Sequence, residues 1–335
     1  MERKLASLQI VRAILPIEGA DLIELAMING WQLVIKKGEF ALGELVIYCE
    51  IDSYLPVSPE YEFLRKSSFK KMGDLEGFRL KTIKLRGQLS QGLLLPVSIL
   101  ESKLVKPEFD ALGEGDDVTA ALGVLKYEPP VPAELSGIMK GNFPSFIPKT
   151  DEERVQNLSK GYAGLQNNAY YLTEKLDGSS ATFYYNNGVF GVCSRNMDLL
   201  ESAGNTYWKV ARALDIEHKI NGSNVAIQGE LVGEGIQGNP YKLRGQTVYF
   251  FNAFDIDKQQ YFSYSEFKNF FTRLHLQTVP VVSEAFTLPE TIGELLLFAE
   301  GKSLLHPLAE REGLIIRSHD RTISFKAISN KFLLG

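Results

Sequence analysis

Short apolar runs separated by turns dominate the first 130 residues of this 335-residue chain. The runs are four to six residues long, lie at fairly regular intervals and have glycine near the turns: 8–11, 22–26, 31–35 and 44–49. Runs of this length bounded by glycine indicate β-strands. Because several short strands at regular spacing suit a small barrel, the sequence predicts an OB-like β-barrel domain over residues 1–130.

The same region contains a second predicted hairpin and a local excess of positive charge. The hairpin runs from residues 78–86 to residues 92–96 with a turn at Gly87, and in such a strand Lys84 and Arg86 share a face. Between Arg65 and Arg86 there are eight basic residues and two acidic ones, although the net charge of the chain is −5. Either a solvated loop or a phosphate-facing surface explains this excess.

Composition places the chain among ordinary globular proteins. Its 44% apolar and 23% charged residues are typical of that class. Since no apolar run is long enough to cross a bilayer and the N-terminus does not resemble a secretion signal, we expect a cytoplasmic protein, or a nuclear one in a eukaryote, without a membrane partner. Cys49 and Cys193 lie far apart without metal-ligand spacing, so we expect both to be buried strand residues.

The remaining residues predict a linker and a second domain. Residues 131–148 belong to a stretch rich in glycine and proline, which is typical of an extended linker. Thr150 or Asp151 is a good helix cap, with Glu153 and Arg154 in the first turn. Residues 149–335 then alternate strands and helices in an order that favours an antiparallel α+β domain.

The elements predicted in this second domain follow from hydrophobic spacing, turns and caps. They are the hairpin 181–185 with 189–194, a helix with Tyr207, Val210, Ala211 and Leu214 on one face, strands at 225–232 and 248–254, a helix opened by a Ser263–Glu266 capping box with Phe267, Phe270, Phe271 and Leu274 on its core side, a helix over 290–299, and the hairpin 313–317 with 321–327.

Lys175 is the candidate nucleophile, because it ends an apolar run and Asp177 and Gly178 follow it. Alone this pattern is weak, since an exposed lysine before an Asp-Gly turn is common. Two rival motifs fail. Gly301 and Lys302 do not form a phosphate-binding loop, because the glycine required five positions earlier is Leu296. The four histidines do not cluster, which argues against a zinc hydrolase.

A lysine amine that attacks phosphorus must first lose its proton. A nearby divalent cation or a desolvated pocket would lower its pKa, and such a cation needs carboxylates. The chain offers three in strand or turn positions: Asp177, Glu230 and Glu312. Lys326 can supply the fixed cation for charge developing on the phosphate, and Phe254 can supply a flat ring for adenine.

The order of these motifs resembles that of the ATP-dependent nucleic-acid ligases and capping enzymes. The matching elements are Lys175 with Asp177 and Gly178, then Ser194 with Arg195 and Asn196, then Gly229 with Glu230, then Phe254, then Glu312 with Gly313, then Lys326. Residues 84–88, 148–154 and 235–241 make the chain most similar to the nick-sealing RNA ligases of the Deinococcus and Naegleria type. The resemblance implies an N-terminal OB-like β-barrel followed by an antiparallel α+β nucleotidyltransferase (ATP-grasp-like ligase) domain.

The resemblance also implies roles for individual residues. Lys175 should become adenylylated, with Asp177, Glu230 and Glu312 around a Mg²⁺ or Mn²⁺ ion, partly through water. The other residues expected at the nucleotide are Glu174 and Gly178 beside the nucleophile, Arg195 at the ribose or substrate phosphate, Phe254 on adenine and Lys326 at the α-phosphate. Many relatives have a second lysine two residues after the position of Lys326. Here Ile328 takes that place, and Lys331 is the nearest lysine.

DNA ligases and capping enzymes carry an OB domain after the last of these motifs, which orients the pyrophosphate leaving group. Only nine residues follow Lys326 in this chain. We therefore expect the N-terminal barrel to perform that role, with Lys84, Arg86, Lys149 and Arg154 near the β- and γ-phosphates, where fixed positive charge favours in-line departure.

The resemblance predicts an ATP-dependent RNA ligase that works in RNA repair as a monomer. Its expected substrate is a nicked RNA duplex or RNA/DNA hybrid, recognised through A-form shape and 2′-hydroxyls. Two alternatives stay open at this point. One is a DNA ligase or an mRNA-capping guanylyltransferase, and the other is a non-catalytic OB-containing nucleic-acid-binding protein.

Overall fold

The computed structural model describes residues 4–128 and 138–334, which divide into two compact units. The first unit contains residues 4–128 and also the later segment 156–160, and the second contains residues 138–155 and 161–333. Part of the predicted linker 131–148 lies outside the described residues. Within its described part, Met139–Asn142 form a strand that pairs with Met197–Leu199.

The first unit is rich in β-structure, as predicted. Its elements are β1 (Ala6–Ile10), β2 (Ala13–Pro16), β3 (Ile23–Ile28), β4 (Trp31–Lys36), β5 (Leu45–Cys49), β6 (Ser53–Pro56), β7 (Phe69–Met72), β8 (Leu75–Arg79), β9 (Thr82–Leu85), β10 (Gln88–Gln91), β11 (Leu93–Pro96) and β12 (Leu125–Lys126), with α1 (Arg65–Ser68), α2 (Lys106–Asp110) and 3₁₀ helices at Pro59–Leu64 and Val97–Ser102. Hydrogen bonds group the strands as β1-β5-β11, β2-β3-β4, β9-β10 and β12-β6-β8-β7.

The prediction of a closed barrel is wrong in detail. The described strands of this unit form four separate short sheets, which ladder hydrogen bonds do not join into a barrel. Hydrogen bonds that involve side chains connect the sheet of β2, β3 and β4 to the sheet of β9 and β10. The Val34 N–H donates to Ser90 Oγ at 3.0 Å, and Gln32 Nε2 donates to the Leu89 carbonyl at 3.2 Å. An apolar core nevertheless joins β1, β5, β6, β8 and β11, with Leu8, Ile47, Leu55, Phe78 and Leu95 among its buried members.

The predicted hairpin after residue 78 has a different second strand. β9 pairs with β10 around the turn at Arg86 and Gly87, whereas β11 pairs with β5. Arg86 has a positive φ of 47° and lies in the turn, so Lys84 and Arg86 do not share a strand face. Gly87 also has a positive φ, which explains why glycine is suited to this turn.

The second unit contains the remaining strands and helices. They are β13 (Met139–Asn142), β14 (Glu153–Arg154), β15 (Tyr170–Lys175), β16 (Ser179–Asn186), β17 (Val189–Cys193), β18 (Met197–Leu199), β19 (Val225–Gly233), β20 (Gln246–Asp255), β21 (Gln260–Tyr261), β22 (Val281–Phe286), β23 (Gly313–Ser318) and β24 (Ser324–Ile328), with α3 (Tyr162–Leu165), α4 (Thr206–Ala213), α5 (Ile216–Ile220), α6 (Tyr264–Leu274), α7 (Ile292–Ala299) and α8 (Asn330–Leu334); a 3₁₀ helix at Val155–Leu158 spans the boundary between the units.

Two sheets organise this unit. One has seven strands in the order β13-β18-β17-β16-β19-β20-β21, and the other has five in the order β14-β24-β23-β15-β22. All described pairs in these sheets are antiparallel except β14 with β24. The predicted antiparallel α+β architecture is therefore confirmed, and the predicted hairpins correspond to β16–β17 and β23–β24.

The helices α4, α5 and α6 contribute to a core on the seven-stranded sheet. Trp208 of α4 and Phe271 of α6 belong to the same buried cluster as Phe183, Ile227 and Phe250 of the strands. α6 begins with the predicted capping box, since the Glu266 carboxylate accepts the Ser263 N–H at 2.8 Å. The phenylalanines of α6 are core residues, as their helical spacing predicted.

One predicted helix is absent. The residues after Thr150 do not begin a helix, because Glu153 and Arg154 form β14, which runs parallel to β24. Cys49 and Cys193 are buried free thiols in strands, as predicted. Among the described residues, no helix is long and apolar enough to span a membrane.

Candidate active site

Lys175 is the last residue of β15 and pairs with Gly313 of β23. The following residue, Leu176, is buried in an apolar cluster that also contains Tyr241. The Tyr241 hydroxyl accepts the backbone N–H of Asp177 at 2.6 Å. Packing on one side and a hydrogen bond on the other therefore fix the chain between the lysine and the aspartate.

Two predicted glycines lie where a side chain does not fit. A Cβ on Gly178 would come within 2.5 Å of the Leu231 carbonyl oxygen and 2.8 Å of Glu230 Cγ. At this point the chain passes from β15 in one sheet to β16 in the other. A Cβ on Gly313 would lie 2.3 Å from the Ala327 carbonyl oxygen. The glycines of both motifs thus allow the close backbone approach that brings their acidic neighbours together.

The Lys175 amine is surrounded by the acidic trio, which we define as Asp177, Glu230 and Glu312. Lys175 Nζ lies 2.7 Å from Glu312 Oε1, with 27% of the lysine side chain and 15% of the glutamate side chain exposed. The charges of the other two carboxylates also act on this amine. The structure thus gathers the predicted nucleophile and the three predicted metal-binding carboxylates in one place.

Protonation in the acidic trio reflects burial and like charge. Burial raises the pKa of Glu230 to about 8, and the charges of Glu312 and Asp177 also raise it while Lys175 opposes them. Burial raises the pKa of Asp177 to about 6, with a further increase from Glu312. In the protein alone, burial lowers the pKa of Lys175, but the charges of Glu312 and Glu230 outweigh it and the pKa is raised.

The raised pKa of Lys175 corrects the expectation that its pocket alone would favour the neutral amine. Within the described residues, no three His, Cys, Asp or Glu side chains are close enough to ligate one metal ion directly. The oxygen donors of the acidic trio nevertheless suit Mg²⁺ or Mn²⁺, and Mg²⁺ usually keeps several waters and few carboxylate ligands. The trio therefore fits an ion that is held partly through water.

Lys326 lies on the same face of the five-stranded sheet as Lys175. Lys326 pairs with Ile315, which pairs with Thr173, two residues before Lys175. Paired residues point to the same face of a sheet, and so do residues two apart in a strand. The backbones of the two lysines are therefore separated by two strand spacings, about 10 Å across the sheet, and by two residues, about 7 Å along the strand.

Lys326 and Arg195 share one carboxylate, in an arrangement that we call the Asp151 bridge. Lys326 Nζ lies 3.2 Å from Asp151 Oδ1, and Arg195 Nη2 lies 3.6 Å from Asp151 Oδ2. The lysine side chain is 10% exposed and the arginine side chain 54%. Arg195 also lowers the pKa of Glu230 against the dominant effect of burial, so the bridge and the acidic trio are electrostatically connected.

The charged residues of this unit that were predicted at the nucleotide lie around the bridge or in the acidic trio, with one exception. Arg154 is buried and pairs in register with Lys326, and Lys149 Nζ lies 3.3 Å from Asn196 Oδ1. Glu174 is the exception, because it alternates with Lys175 and its carboxylate accepts the Leu304 N–H at 2.7 Å. Glu174 is thus engaged with the loop before β23.

Phe254 is 4% exposed and packs edge-on against Tyr261 in an apolar cluster. It pairs with Ala226, four residues along β19 from Glu230, which corresponds to about 13 Å. Phe254 thus lies on a strand that pairs with the strand of Glu230, but its ring belongs to the core in this structure. Its stacking on adenine stays a prediction.

The remaining predicted positions are also accounted for. Lys84 is exposed on β9 and Arg86 is exposed in the following turn, both in the first unit. Ile328 is buried in β24, so no polar group replaces the second motif lysine there. Lys331 is an exposed residue 3.1 Å from Glu310.

Sequence reasoning missed a polar chain that crosses the strands of the second unit. Arg321 Nη2 donates to Asn252 Oδ1 at 2.9 Å, Asn252 Nδ2 donates to Gln228 Oε1 at 2.9 Å, and Gln228 Nε2 donates to the Pro148 carbonyl at 2.9 Å. Gln228 precedes Gly229 and Glu230 in β19, so its position in that motif was the only available signal.

Comparison with known proteins gives a match in each of the two units. A family model described as an OB-fold domain matches residues 5–97, and one described as RNA ligase matches residues 168–331. Among curated proteins, none matches the chain.

Solved structures of Naegleria gruberi RNA ligase are similar at 42% identity over 99% of this chain. The TM-score is 0.91 for a variant with AMP and Mn, 0.90 for a variant with ATP and Mn, and 0.90 for the ligase with PPi. These similarities cover 98%, 97% and 98% of the respective chains.

An OB-fold domain followed by a ligase domain with a lysine among carboxylates defines a polynucleotide ligase. The similarity extends over nearly the whole length of both proteins. The chain belongs to the RNA ligase family, and the predicted resemblance to ligases of the Naegleria type is confirmed.

Proposed function

We propose that this RNA ligase uses ATP to join 3′-hydroxyl and 5′-phosphate ends at nicks, through a lysyl-AMP on Lys175 and an RNA-adenylate. The observation that carries the proposal is the position of the Lys175 amine, 2.7 Å from Glu312 and within the acidic trio. Support for the nucleotide comes from the 42% identical Naegleria gruberi RNA ligase, of which one variant is solved with ATP and Mn and another with AMP and Mn.

In the first step, Lys175 Nζ attacks the α-phosphorus of ATP. Because its raised pKa keeps the amine protonated in the protein alone, it must lose one proton before the attack and a second as the P–N bond forms and the bond to the pyrophosphate oxygen breaks. Glu312 contacts that amine and would accept one of these protons, and the other would pass to solvent. Lys326 lies on the same sheet face and supplies a fixed positive charge for the α-phosphate, where charge develops in the transition state.

Asp177, Glu230 and Glu312 would hold the divalent ion, partly through water. When bound, Mg²⁺ or Mn²⁺ supplies positive charge that stabilises the phosphate and counters the carboxylate charge now raising the pKa of Lys175. Gly178 and Gly313 would keep these carboxylates close to the amine, because neither position has room for a Cβ.

In the next two steps, a 5′-phosphate takes the AMP from Lys175, and a neighbouring 3′-hydroxyl then attacks the activated phosphate and releases AMP. Arg195 is exposed at the edge of the Asp151 bridge, where it can contact the ribose or the entering phosphate. A nicked RNA duplex or RNA/DNA hybrid presents both ends side by side, which gives the proximity that this step needs.

The test uses a nicked duplex with an RNA 3′-hydroxyl strand, ATP, and magnesium or manganese. The wild-type protein should form an AMP-capped 5′ end and then the joined strand, whereas Lys175→Ala should form neither. Lys209→Ala is the matched control, because Lys209 is an exposed lysine of α4, and it should seal normally. Sealing of an all-DNA nick at the same rate would favour a DNA ligase, and labelling by GTP in place of ATP would favour a capping enzyme.

We also propose that Lys84 and Arg86 contact the β- and γ-phosphates and orient the leaving pyrophosphate. Both are exposed cations around the β9–β10 turn. The Lys84→Ala, Arg86→Ala double variant should adenylylate Lys175 about 10-fold more slowly, because fixed charge at the leaving group favours its departure. Adenylylation is measured by single-turnover labelling, with Lys106→Ala as the control, and an unchanged rate would contradict this role.

A further inference from the structure

Asp151 is the one acidic residue of the Asp151 bridge, and sequence reasoning assigned it only a helix cap. Its two carboxylate oxygens lie 3.2 Å from Lys326 Nζ and 3.6 Å from Arg195 Nη2. Under the proposed function, both of these cations contact phosphate. A phosphate would also present its oxygens to them, so the carboxylate resembles the ligand in charge and in geometry.

The segment that carries Asp151 is held at this place by two residues that follow it. The next residue, Glu152, accepts a hydrogen bond from Arg317 Nη2 at 2.9 Å, and Arg317 is fully buried. Two residues further, Arg154 pairs in register with Lys326. The Asp151 backbone is therefore anchored next to β24, while its own side chain is 37% exposed.

We propose that Asp151 is a positioning residue that serves as a resting counter-ion for Lys326 and Arg195 and is exchanged for a phosphate of ATP. This inference rests on the proposed function. A nearly buried ammonium without a partner is costly, so the carboxylate keeps Lys326 charged and oriented before ATP arrives. Because the Asp151 side chain borders solvent, it can swing away when a phosphate with more negative charge enters.

The exchange has a consequence for affinity. ATP must displace a carboxylate that already neutralises the cations, so part of the attraction between the phosphate and Lys326 is lost in the exchange. Removing the charge of Asp151 should therefore tighten ATP binding. A residue that only supported the fold would weaken binding when it was replaced.

The experiment measures the Kd for ATP by calorimetry in the Lys175→Ala protein, which prevents covalent transfer. Addition of Asp151→Asn should lower the Kd about 2- to 5-fold, as expected for loss of one partly exposed competing charge. Glu284→Gln is the matched control, because it removes a carboxylate 2.7 Å from Lys268 in the same unit, and it should leave the Kd unchanged. Asp151→Glu keeps the charge and should bind ATP as the parent does.

An unchanged or higher Kd for Asp151→Asn, in a protein with a normal melting transition, would overturn the inference. If Asp151→Asn did not fold, Asp151→Ser would be measured under the same criterion. Failure of the proposed function is recognised separately: wild-type protein that forms no covalent adenylate would reject the function. Normal labelling together with an unchanged Kd for Asp151→Asn would reject only the exchange.

Discussion

The acidic trio and the Asp151 bridge are opposite in charge, although Lys175, which the trio surrounds, and Lys326, which belongs to the bridge, lie on the same face of the five-stranded sheet. Around Lys175, three carboxylates face one amine, whereas in the bridge two cations share one carboxylate. Burial, together with the smaller effect of like charge, raises the pKa of Glu230 to about 8 on the first side. The first side thus has an excess of negative charge that a cation would relieve, and the second has positive charge suited to a phosphate.

This difference explains how one site can take both a divalent ion and a nucleotide. The metal ion would neutralise negative charge near the trio, and the phosphate would neutralise positive charge near the bridge. The Lys175 amine lies on the acidic side, so its own reactivity depends on how that side is neutralised. Substitutions in the trio and in the bridge should therefore differ in how the adenylylation rate responds to the metal concentration.

The largest effect is expected from Glu230→Gln, which removes one carboxylate donor from the trio and keeps the size of the side chain. The rate of Lys175 adenylylation should fall about 100-fold or more, because the set of groups around the metal loses a member. Single-turnover labelling over a range of Mn²⁺ concentrations measures the rate. We expect partial recovery at high Mn²⁺, and a normal rate at low Mn²⁺ would show that Glu230 does not contribute to metal binding.

A comparable loss, near 100-fold, is expected from Lys326→Ala, because a charge aimed at the α-phosphate is removed. Here the rate should not recover at high Mn²⁺, since the metal side is intact. Labelling under the same Mn²⁺ series distinguishes the two variants. Recovery by metal in both would mean that the two sides of the site are not distinct in function.

The smallest effect concerns the anchor behind the bridge. Arg317 lowers the pKa of Glu152 against the effect of burial, so this carboxylate stabilises the fold above its unfolded pKa and loses that effect as the pH falls. Glu152→Gln should cost about 2 kcal/mol at pH 7. The difference from wild type should shrink as the pH falls below about 4.5, the ordinary value for glutamate.

Urea unfolding at pH 7 and at pH 3.5 measures this difference, with Glu284→Gln as an exposed control. A difference that grew on acidification would contradict the assignment, because it would mean that Glu152 is protonated more readily in the folded protein than in the unfolded one.

Local patterns predicted the parts of the molecule that depend on neighbouring residues. The capping box at Ser263 and Glu266, the β16–β17 hairpin and the buried face of α6 follow from turn chemistry and spacing. Lys175 could be singled out as the candidate nucleophile because Asp177 and Gly178 follow it and because the order of the later motifs, including Glu312 with Gly313, is visible in the sequence. The close backbone contacts that require glycine at positions 178 and 313 became visible only in the structure.

Long-range pairing accounts for what was missed. Residues 150–154 have good helix-capping chemistry, but β14 pairs with β24, more than 170 residues later. The same pairing brings Asp151 to Lys326, a contact without any local signal. Similarly, β11 pairs with β5 in place of the nearby β9. The raised pKa of Lys175 could not be predicted either, because it depends on the distance between carboxylates of three separate segments.

The most direct measurement is to locate the covalent adenylate by mass spectrometry after incubation with ATP and Mn²⁺. We expect a single AMP adduct on the peptide that contains Lys175, released by added pyrophosphate and absent from Lys175→Ala. An adduct on another residue, or no adduct in a folded protein that binds ATP, would contradict the assignment of Lys175 as the nucleophile.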